Sequence, residues 1–204
     1  MAKEFLTETI QGEVKIEERD GAMYFSGPFG KADIKNLNGR VYPRAVMEQA
    51  LTDYNTNFVQ KRRALGELNH PEYSEANPER AAFIIEKDLT MDDQGIIFGE
   101  GKVLKNFPMG EIAYNIFDEK IAIGISSRGL GDITEKTITE NEEDSKILEV
   151  SDFEITAFDL VTEPSIGEFV GVSEKKKLDT KKEQVKESEK DNIDLVELAR
   201  VLLK

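Results

Sequence analysis

The sequence predicts an α+β domain: an antiparallel sheet or small β-barrel of about seven strands, surrounded by helices and followed by a flexible C-terminal tail. Short apolar runs bounded by turn residues recur along the chain in hairpin order, which favours an antiparallel sheet. Two stretches with helical periodicity are inserted between these runs. Beyond residue 172 the chain is rich in charge and has no aromatic residue, which is typical of a flexible segment.

The first eighty residues predict strands, one helix and a long loop. Residues 4–29 are expected to form one or two short strands around the Asp20-Gly21 turn. Pro43 is well placed to open a helix of about four turns. Residues 64–80 contain two prolines, Asn and Gly without a sustained period, which indicates a loop. The predicted apolar face of the helix consists of Val46, Met47, Ala50, Leu51, Tyr54 and Phe58.

Residues 81–119 predict a pair of strands followed by a second helix. The strands are AAFIIEKDL and GIIFGEGKVL, joined through the turn MDDQG. Pro108 is placed for the first turn of the helix, and apolar side chains then follow at helical spacing. They are Met109, Ile112, Ala113, Ile116 and Phe117.

The following segments predict the strands of the candidate site. KIAIGISS, residues 120–127, is apolar on both faces and is therefore expected to be a buried strand. GLGD should end this strand in a turn. Residues 133–140 and 147–151 are then expected to form an exposed hairpin around NEEDSK. FEITAFDLVT, residues 153–162, is the last predicted strand.

Three regions follow from these patterns. Residues 1–172 form the folded domain, and residues 173–191 form a charged flexible linker. Residues 192–204 form an amphipathic helix, which is expected to dock on a partner because a short isolated helix is marginal in water. Its apolar stripe comprises Ile193, Val196, Ala199 and Leu203, widened by Leu195, Leu198 and Leu202.

The composition excludes several classes of protein. A net charge of −14 repels phosphate backbones, so nucleic-acid binding is not expected. No apolar run approaches the length of a membrane span, and the acidic N-terminal segment lacks the features of a signal peptide, so we expect a cytoplasmic protein without a membrane partner. Because the chain has no cysteine, disulfides and cysteine nucleophiles are excluded.

The only histidine, His70, lies between Asn69 and Pro71 in the predicted loop. Histidine is the side chain that most readily exchanges a proton near physiological pH. An enzyme with this sequence that uses a neutral general base would therefore most simply use His70. A loop histidine without a role is the alternative interpretation.

Ser126 and Ser127 end the predicted buried strand and are followed directly by Arg128 and a glycine-rich run. A serine nucleophile needs a base to take its proton and donors to hold the developing oxyanion. Arg128 and the amides around Gly129 could supply such donors, because glycine allows the backbone to approach a substrate closely. Serines that only form a turn are the alternative.

A carboxylate that orients the imidazole would complete a serine hydrolase. Asp159 is notable because it interrupts the apolar run AFDLV, where a charge needs a partner. A solvent-facing aspartate on an edge strand is the alternative. The other available carboxylates are Glu67, Glu72, Asp152, Glu154 and Glu163.

Three strings, taken together and in order, are similar to a known family. NLNGRVYPR before the first helix, ALGELNHP after it and GISSRGLG further on resemble the prohead core proteases of contractile-tailed bacteriophages. That family looks related in fold to the herpesvirus capsid maturation proteases. The likeness covers roughly residues 30–170, so residues 1–172 would be the protease domain.

The resemblance implies a serine endopeptidase that processes scaffold and capsid proteins during head maturation. His70 would be the general base, Ser126 the nucleophile, and Ser127 a neighbour that faces the opposite side of the strand. Arg128, with Ser127 and Gly129, would belong to the oxyanion and substrate side of the site. Asp159, 33 residues after Ser126, is chosen as the third member over Glu154 and Glu163.

The resemblance also implies partners and a location. The substrates would be scaffold or core proteins and the major capsid protein, inside the assembling prohead in the host cytoplasm, with self-association as a further option. No metal or organic cofactor is expected. Cleavage after glutamate is implied, with an aliphatic or aromatic residue two positions before it. Strings of this kind at 6–8 (LTE) and 195–197 (LVE) predict self-trimming.

Two other functions remain open from the sequence. A scaffold component without catalytic activity could have kept the same fold. A metal hydrolase using Glu67, His70 and Glu72 is disfavoured, because one imidazole and no cysteine make a poor ligand set. Lys and Arg side chains on the loops near Arg40 and Arg44 are the candidates for recognising a substrate glutamate.

Overall fold

Two β-sheets and two α-helices form the fold in a computed structural model of the chain. The structure describes residues 3–10, 14–36, 38–140, 143–162 and 173–174. The α-helices are α1 (Arg44–Tyr54), which continues as a π-helical turn over Asn55–Val59, and α2 (Pro108–Asp118). The described strands are β1 (Glu4–Ile10), β2 (Lys15–Arg19), β3 (Ala22–Lys31), β4 (Arg40–Val41), β5 (Leu65–Glu67), β6 (Ala81–Ile85), β7 (Thr90–Met91), β8 (Ile96–Val103), β9 (Gly124–Glu140), β10 (Glu143–Val161) and β11 (Ser173–Glu174).

The strand order brings the two sheets together beside β10. One sheet has the order β1-β9-β10-β4, and the other has the order β11-β2-β3-β8-β6-β5 with β7 paired to β8. The pairings β4–β10 and β11–β2 are parallel, while the other described strand pairs are antiparallel. A single bridge joins Leu68, directly after β5, to Leu160 of β10. The loop that contains His70 therefore begins next to the strand that contains Asp159.

The predicted first helix is confirmed. Helix α1 begins directly after Pro43, and its buried residues Met47, Ala50, Leu51 and Tyr54 belong to the predicted apolar face. The Tyr54 ring meets Phe158 of β10 edge-on, with 5.3 Å between the ring centroids. The helix therefore packs on the face of β10 opposite Asp159, because successive strand residues point to opposite faces.

The predicted second helix is also confirmed, but its apolar face is rotated. Gly110, Ala113 and Phe117 are buried, whereas Ile112 is 46% exposed. A Cβ atom on Gly110 would lie 1.8 Å from the carbonyl oxygen of Leu104. Because this close approach requires glycine, it fixes which side of α2 faces the sheet and leaves Ile112 at the surface.

Aromatic rings form the centre of the core. Phe25 of β3 contacts Phe29, Phe83 and Phe117, with centroid distances of 4.9 to 6.2 Å. Phe158 contacts Phe29 at 5.3 Å in an edge-on arrangement. Both sheets and both helices contribute to this cluster, so burial of aromatic surface holds β10 in place from one side.

The predicted turn at GLGD is wrong. Strand β9 runs without interruption from Gly124 to Glu140, and Gly129 and Gly131 lie inside it. Gly129 pairs with Leu6 on one side and Ile155 on the other. A Cβ atom on Gly129 would lie 2.2 Å from the carbonyl oxygen of Glu154. The glycine is required for close packing of two strands, not for a turn.

The α+β class is confirmed, although the described residues form eleven strands in two sheets rather than about seven strands in one. Residues 4–29 contribute three strands, with the predicted turn at Asp20-Gly21 between β2 and β3. The predicted strands 147–151 and 153–162 are joined as β10. Strand pairing continues through these segments because bulges absorb the irregular residues.

The C-terminal predictions lie mostly outside the described residues. Pairing of β11 with β2 extends the ladder beyond the predicted domain end at residue 172. The remainder of the predicted linker, 175–191, and the predicted docking helix, 192–204, are outside the described part. Among the described helices, none has the length and apolar character needed to cross a membrane.

Candidate active site

Strand β9 presents Ser126 and Arg128 on one face and Ser127 on the other, because strand side chains alternate. All three residues are buried. β9 is an inner strand, held by β1 on one side and β10 on the other. The position of the Ser126 backbone is therefore fixed by hydrogen-bonded strands on both sides.

The backbone beside β10 positions His70. The Asn69 amide donates a hydrogen bond to the carbonyl oxygen of Leu160 at 2.8 Å. Asn69 has a φ of 60°, a left-handed conformation that asparagine tolerates better than most residues. This turn directs the next side chain, His70, across the end of the sheet. His70 keeps 21% of its side chain exposed.

Ser126, His70 and Asp159 form a continuous chain of hydrogen bonds. The Oγ of Ser126 lies 2.6 Å from Nε2 of His70, and Nδ1 of His70 lies 2.8 Å from Oδ2 of Asp159. In the tautomer with its proton on Nδ1, the imidazole donates to Asp159 and accepts from the serine hydroxyl. The structure therefore brings together the three residues that the sequence singled out as base, nucleophile and orienting carboxylate.

Asp159 lies directly opposite Ser126 in the β9–β10 ladder. Its carboxylate has no exposed surface. The backbone amide of Glu67 donates to its Oδ1 at 3.0 Å, and the guanidinium of Arg128 contacts both oxygens. Donors on every side compensate for the cost of burying the charge.

Arg128 occupies a different place from the one predicted. Its guanidinium is fully buried; Nη1 donates to the carbonyl oxygens of Tyr73 and Glu75, and Nη2 to Glu67 at 2.9 Å. Its Nε lies 2.9 Å from Oδ2 of Asp159 in an ion-pair contact without hydrogen-bond alignment. In this arrangement the side chain supports the carboxylate behind the histidine and does not face an oxyanion position.

Glu67 is the buried residue that sequence reasoning missed in this role. Its carboxylate accepts hydrogen bonds from the Asn77 amide, the Tyr73 hydroxyl, Arg80 and Arg128. Burial alone would raise the pKa of Glu67, but the Asn77 amide and the two guanidinium groups outweigh it and hold that pKa below its usual value. The only sequence signal was its place in GELNHP, three residues before His70.

Among the described residues, none of the other candidate carboxylates forms a hydrogen bond or an ion pair with His70. Glu72 is exposed, and Glu154 is an exposed partner of Lys3. Glu163 lies outside the described residues. Asp159 is the carboxylate that the structure places on Nδ1 of His70, and its catalytic role stays a prediction.

The remaining predicted residues serve other contacts. Gly129 is enclosed between β1 and β10, which differs from the expected approach to a substrate. Ser127 pairs with Phe158 on the core side of the ladder. The guanidinium of Arg44 donates to Glu48 and to the carbonyl oxygens of Asp92 and Asp93.

The geometry does not suit the metal site considered from the sequence. Both oxygens of Glu67 accept from arginines, and Glu72 points to solvent. In the part of the chain that the structure describes, no group of three or more His, Asp or Glu side chains is arranged to hold a metal ion. His70 instead contacts one hydroxyl and one carboxylate.

Comparisons with known proteins identify similar sequences and a similar fold. The family model of the prohead core protein serine protease matches residues 6–178. The prohead core protein protease of Enterobacteria phage T4 is 36% identical over 137 residues, a match that covers 63% of this chain and 63% of that protein. The structure of the bacteriophage T4 capsid assembly protease, gp21, superposes with a TM-score of 0.65 at 30% identity, covering 79% of this chain and 99% of that one.

Proposed function

We propose that this chain, which belongs to the prohead core protein serine protease family, hydrolyses peptide bonds with Ser126 as its nucleophile. The observation that carries the proposal is the hydrogen-bonded chain from Ser126 through His70 to Asp159. Each contact is within the reach required for proton transfer or for orientation of the imidazole.

The chemistry follows from these contacts. Nε2 of His70 takes the hydroxyl proton as Oγ of Ser126 attacks the peptide carbonyl carbon. Asp159 stabilises the imidazolium that forms and keeps Nδ1 protonated. The imidazolium then protonates the leaving amine, which departs as the C–N bond breaks and an ester to Ser126 remains. A water molecule, deprotonated by the same imidazole, attacks that ester and regenerates the serine.

Access to the site is part of the proposal. Ser126 is fully buried, whereas His70 retains exposed surface. A peptide carbonyl therefore has to approach from the side of His70, and the surroundings of Ser126 have to open before Oγ can attack. Because the guanidinium of Arg128 is committed to Asp159 and Glu67, groups other than this side chain must hold the oxyanion.

The biological substrates belong to the assembling capsid. The similar T4 proteins are a prohead core protein protease and a capsid assembly protease. We infer that this chain acts inside a phage prohead in the host cytoplasm, on scaffold or core proteins and on the major capsid protein. Residues beyond 178, outside the family match, would serve incorporation into the prohead and not peptide hydrolysis.

Cleavage after glutamate and self-trimming remain proposals, and the structure bears on the N-terminal string. Leu6 and Thr7 lie in β1, and Leu6 is fully buried against the core. Cutting after Glu8 would require β1 to leave its sheet, because a protease needs an extended, accessible segment. We therefore expect the folded chain to be cut only slowly after Glu8, since β1 is paired along its length with β9. The string at 195–197 lies outside the described residues.

The test uses a synthetic peptide with the sequence of residues 190–202, KDNIDLVELARVL. We expect the purified chain to cut it between Glu197 and Leu198, and to leave the Glu197→Gln peptide intact. Ser126→Ala should reduce cleavage by at least about a thousandfold, since it removes the nucleophile. Ser151→Ala, an exposed serine of β10, is the matched control and should cleave normally.

The alternative, a scaffold component without catalytic activity, predicts another result. In that case neither the wild-type chain nor its variants would cut this peptide or a purified scaffold protein. Equal cleavage by wild type and Ser126→Ala would instead indicate a contaminating protease and would remove the support for Ser126.

A further inference from the structure

Three buried charges lie behind His70. Arg128 is placed between two carboxylates, Asp159 and Glu67, and none of the three side chains is exposed to solvent. Its Nη2 lies 2.9 Å from Glu67 and 3.2 Å from Asp159. These three buried side chains carry a net charge of −1, and Arg80, whose side chain is half exposed, contacts Glu67 from the outside. Ions buried this deeply require close partners, so the three side chains have to be considered as a unit.

The arginine alone would weaken the proposed catalytic carboxylate. Asp159 favours the transition state by stabilising a positively charged His70. A guanidinium 2.9 Å from the same carboxylate oxygen opposes that effect, since like charges repel across the short distance to the imidazolium. A second carboxylate that forms an ion pair with Arg128 offsets this repulsion. Glu67 is the residue in that position.

Glu67 also orients Asp159 through its backbone. Its amide donates to Oδ1 at 3.0 Å, which leaves Oδ2 to accept from Nδ1 of His70. Glu67 thus acts on Asp159 in two ways. Its backbone amide orients the Asp159 carboxylate, and its own carboxylate offsets the charge of the neighbouring Arg128. Strand β5 holds Glu67 in this position by pairing with β6.

We propose that Glu67 is a positioning residue of this protease, which acts through Arg128 and Asp159 to keep the charge behind His70 negative. The inference rests on the proposed roles of His70, Ser126 and Asp159. It goes beyond them by assigning a function to a carboxylate that does not touch the imidazole. It also explains why a buried arginine can stand next to the orienting aspartate without cancelling its charge.

The other groups around this cluster determine how the test has to be designed. Arg80 and Tyr73 contact the carboxylate of Glu67 from the loop that follows His70. The hydrogen bond to Glu67 raises the pKa of Arg80, so this residue keeps its positive charge. Tyr54 of α1 packs on Phe158, on the other face of β10; burial, and then the charge of Asp159, raise the pKa of this tyrosine, so its hydroxyl remains neutral. Arg80 is therefore the charged neighbour of the cluster that can be replaced without removing Glu67, Arg128 or Asp159.

A purely structural role for Glu67 is the competing explanation. Its carboxylate also fixes the loop through the Asn77 amide and the Tyr73 hydroxyl. Loss of those contacts could loosen the loop and lower activity without any electrostatic effect. The two explanations differ in the sign of the change that removal of Arg80 would produce.

The experiment follows the NMR signals of the His70 imidazole during a pH titration of the full-length chain. Assignment is unambiguous because the chain contains one histidine. In Glu67→Gln, we expect the midpoint to move to lower pH by about 0.5 to 1 unit, since a negative charge is lost. In Arg80→Gln, we expect a smaller move to higher pH, about 0.2 unit, because that side chain is half exposed and screened.

Shifts of opposite sign support the electrostatic role, because a loosened loop would move both midpoints in one direction. An unchanged midpoint in Glu67→Gln, or shifts of equal sign in the two variants, overturns the proposal. If Glu67→Gln does not fold, Arg80→Gln still decides: a move to higher pH supports the proposal, and no move or a move to lower pH overturns it.

Kinetics of peptide cleavage give a second measure. We expect Glu67→Gln to lower kcat about 3- to 10-fold with little change in KM, since a shift of one pH unit corresponds to a tenfold change in imidazolium stability. Glu67→Asp, which keeps the charge, should restore part of the loss. The NMR titration needs no catalysis, so it tests the role of Glu67 separately from the proposed protease activity. An unchanged His70 midpoint would overturn the role of Glu67 even if Ser126→Ala abolishes cleavage. Shifts of opposite sign would support that role even if the chain cuts no peptide.

Discussion

The β9–β10 hairpin contains two regions that share one ladder but differ in their surroundings. Its site region holds Ser126, Arg128 and Asp159, all fully buried. Its distal region carries Lys136 and Glu149, an exposed pair on neighbouring strands. Both regions have regular antiparallel pairing, so the backbone alone does not distinguish them. The burial of the polar groups does, because a charge in the site region must be satisfied by protein atoms and one in the distal region is solvated.

Two bulges in β10 separate these regions. The register shifts between Ser151 and Glu154 and again between Ile155 and Ala157. The residue inserted at the second shift, Thr156, has its hydroxyl 2.6 Å from the carbonyl oxygen of Ser74 in the His70 loop. The bulge therefore places Asp159 opposite Ser126 and also ties the loop to the same strand. The bulges thus separate two regularly paired segments of β10, of which the one with Asp159 lies against the His70 loop.

Replacing a carboxylate by its amide should reduce peptide cleavage strongly in the site region and not in the distal region. Asp159→Asn should lower kcat by about 10⁴-fold, because the imidazole loses its orienting acceptor and the charge that stabilises it. Glu149→Gln, the matched change on the distal part of β10, should leave peptide cleavage unchanged. Initial rates on the 190–202 peptide measure both. Retention of more than about a tenth of the activity in Asp159→Asn would remove this residue from the mechanism.

Removal of a cation should lower the free energy of unfolding much more in the site region than in the distal region. Arg128→Met leaves Glu67 and Asp159 buried without their shared partner, and we expect a loss of about 3 to 5 kcal/mol in the free energy of unfolding. Lys136→Met removes one side of an exposed pair and should cost less than about 1 kcal/mol. Urea unfolding gives both values. Similar losses for the two variants would mean that burial does not set the difference.

A methyl group added at either of two glycines of β9 should lower stability by different amounts, because the two positions differ in how closely they are packed. Gly129→Ala would bring Cβ to 2.2 Å from the carbonyl oxygen of Glu154, a backbone atom that cannot rotate away. Gly131→Ala meets only the tips of Leu6, Val150 and Phe153, at 3.0 to 3.4 Å. We expect a cost of about 1 to 3 kcal/mol for Gly129→Ala and a smaller cost for Gly131→Ala, measured by thermal unfolding. The reverse order would contradict the packing at Gly129.

The smallest expected effect concerns acid stability. Because the pKa of Glu67 is lowered in the folded chain, its contribution is complete above the usual glutamate value and is lost as the pH falls through the lowered one. Glu100 acts in the same direction, since Arg19 and Lys87 overcome its burial and lower its pKa. We expect Glu67→Gln to take up fewer protons than the wild-type chain on unfolding below pH 5, by at most one per molecule, while the contribution of Glu100 stays the same in both proteins. Equal pH dependence in both proteins would refute the assignment to Glu67.

The sequence singled out three residues that the structure brings into contact, Ser126, His70 and Asp159, but it did not predict their surroundings. A lone histidine, a serine pair at the end of an apolar run and an aspartate inside another run were each unusual for their local context. Both helices were predictable because their apolar faces repeat within a few residues. Local pattern was sufficient wherever the decisive neighbours were close in sequence.

Contacts between distant segments could not be predicted in this way. Arg128 meets Glu67 across 61 positions, and no local signal shows that its guanidinium points to a carboxylate and not to a substrate. The predicted turn at Gly129 failed for the same reason. A glycine required by a neighbouring strand resembles, in sequence, a glycine required by a turn. The separation of the sheets also depends on pairing that only the folded chain displays.

Covalent labelling can show whether Ser126 is a nucleophile that His70 activates. The full-length chain is incubated with a small fluorophosphonate, and its intact mass and labelled peptide are determined. We predict a single adduct on Ser126, formed at least about 100-fold more slowly in His70→Ala and absent in Ser126→Ala. An unchanged mass after prolonged incubation, or the same adduct in Ser126→Ala, would mean that Ser126 is not an activated nucleophile.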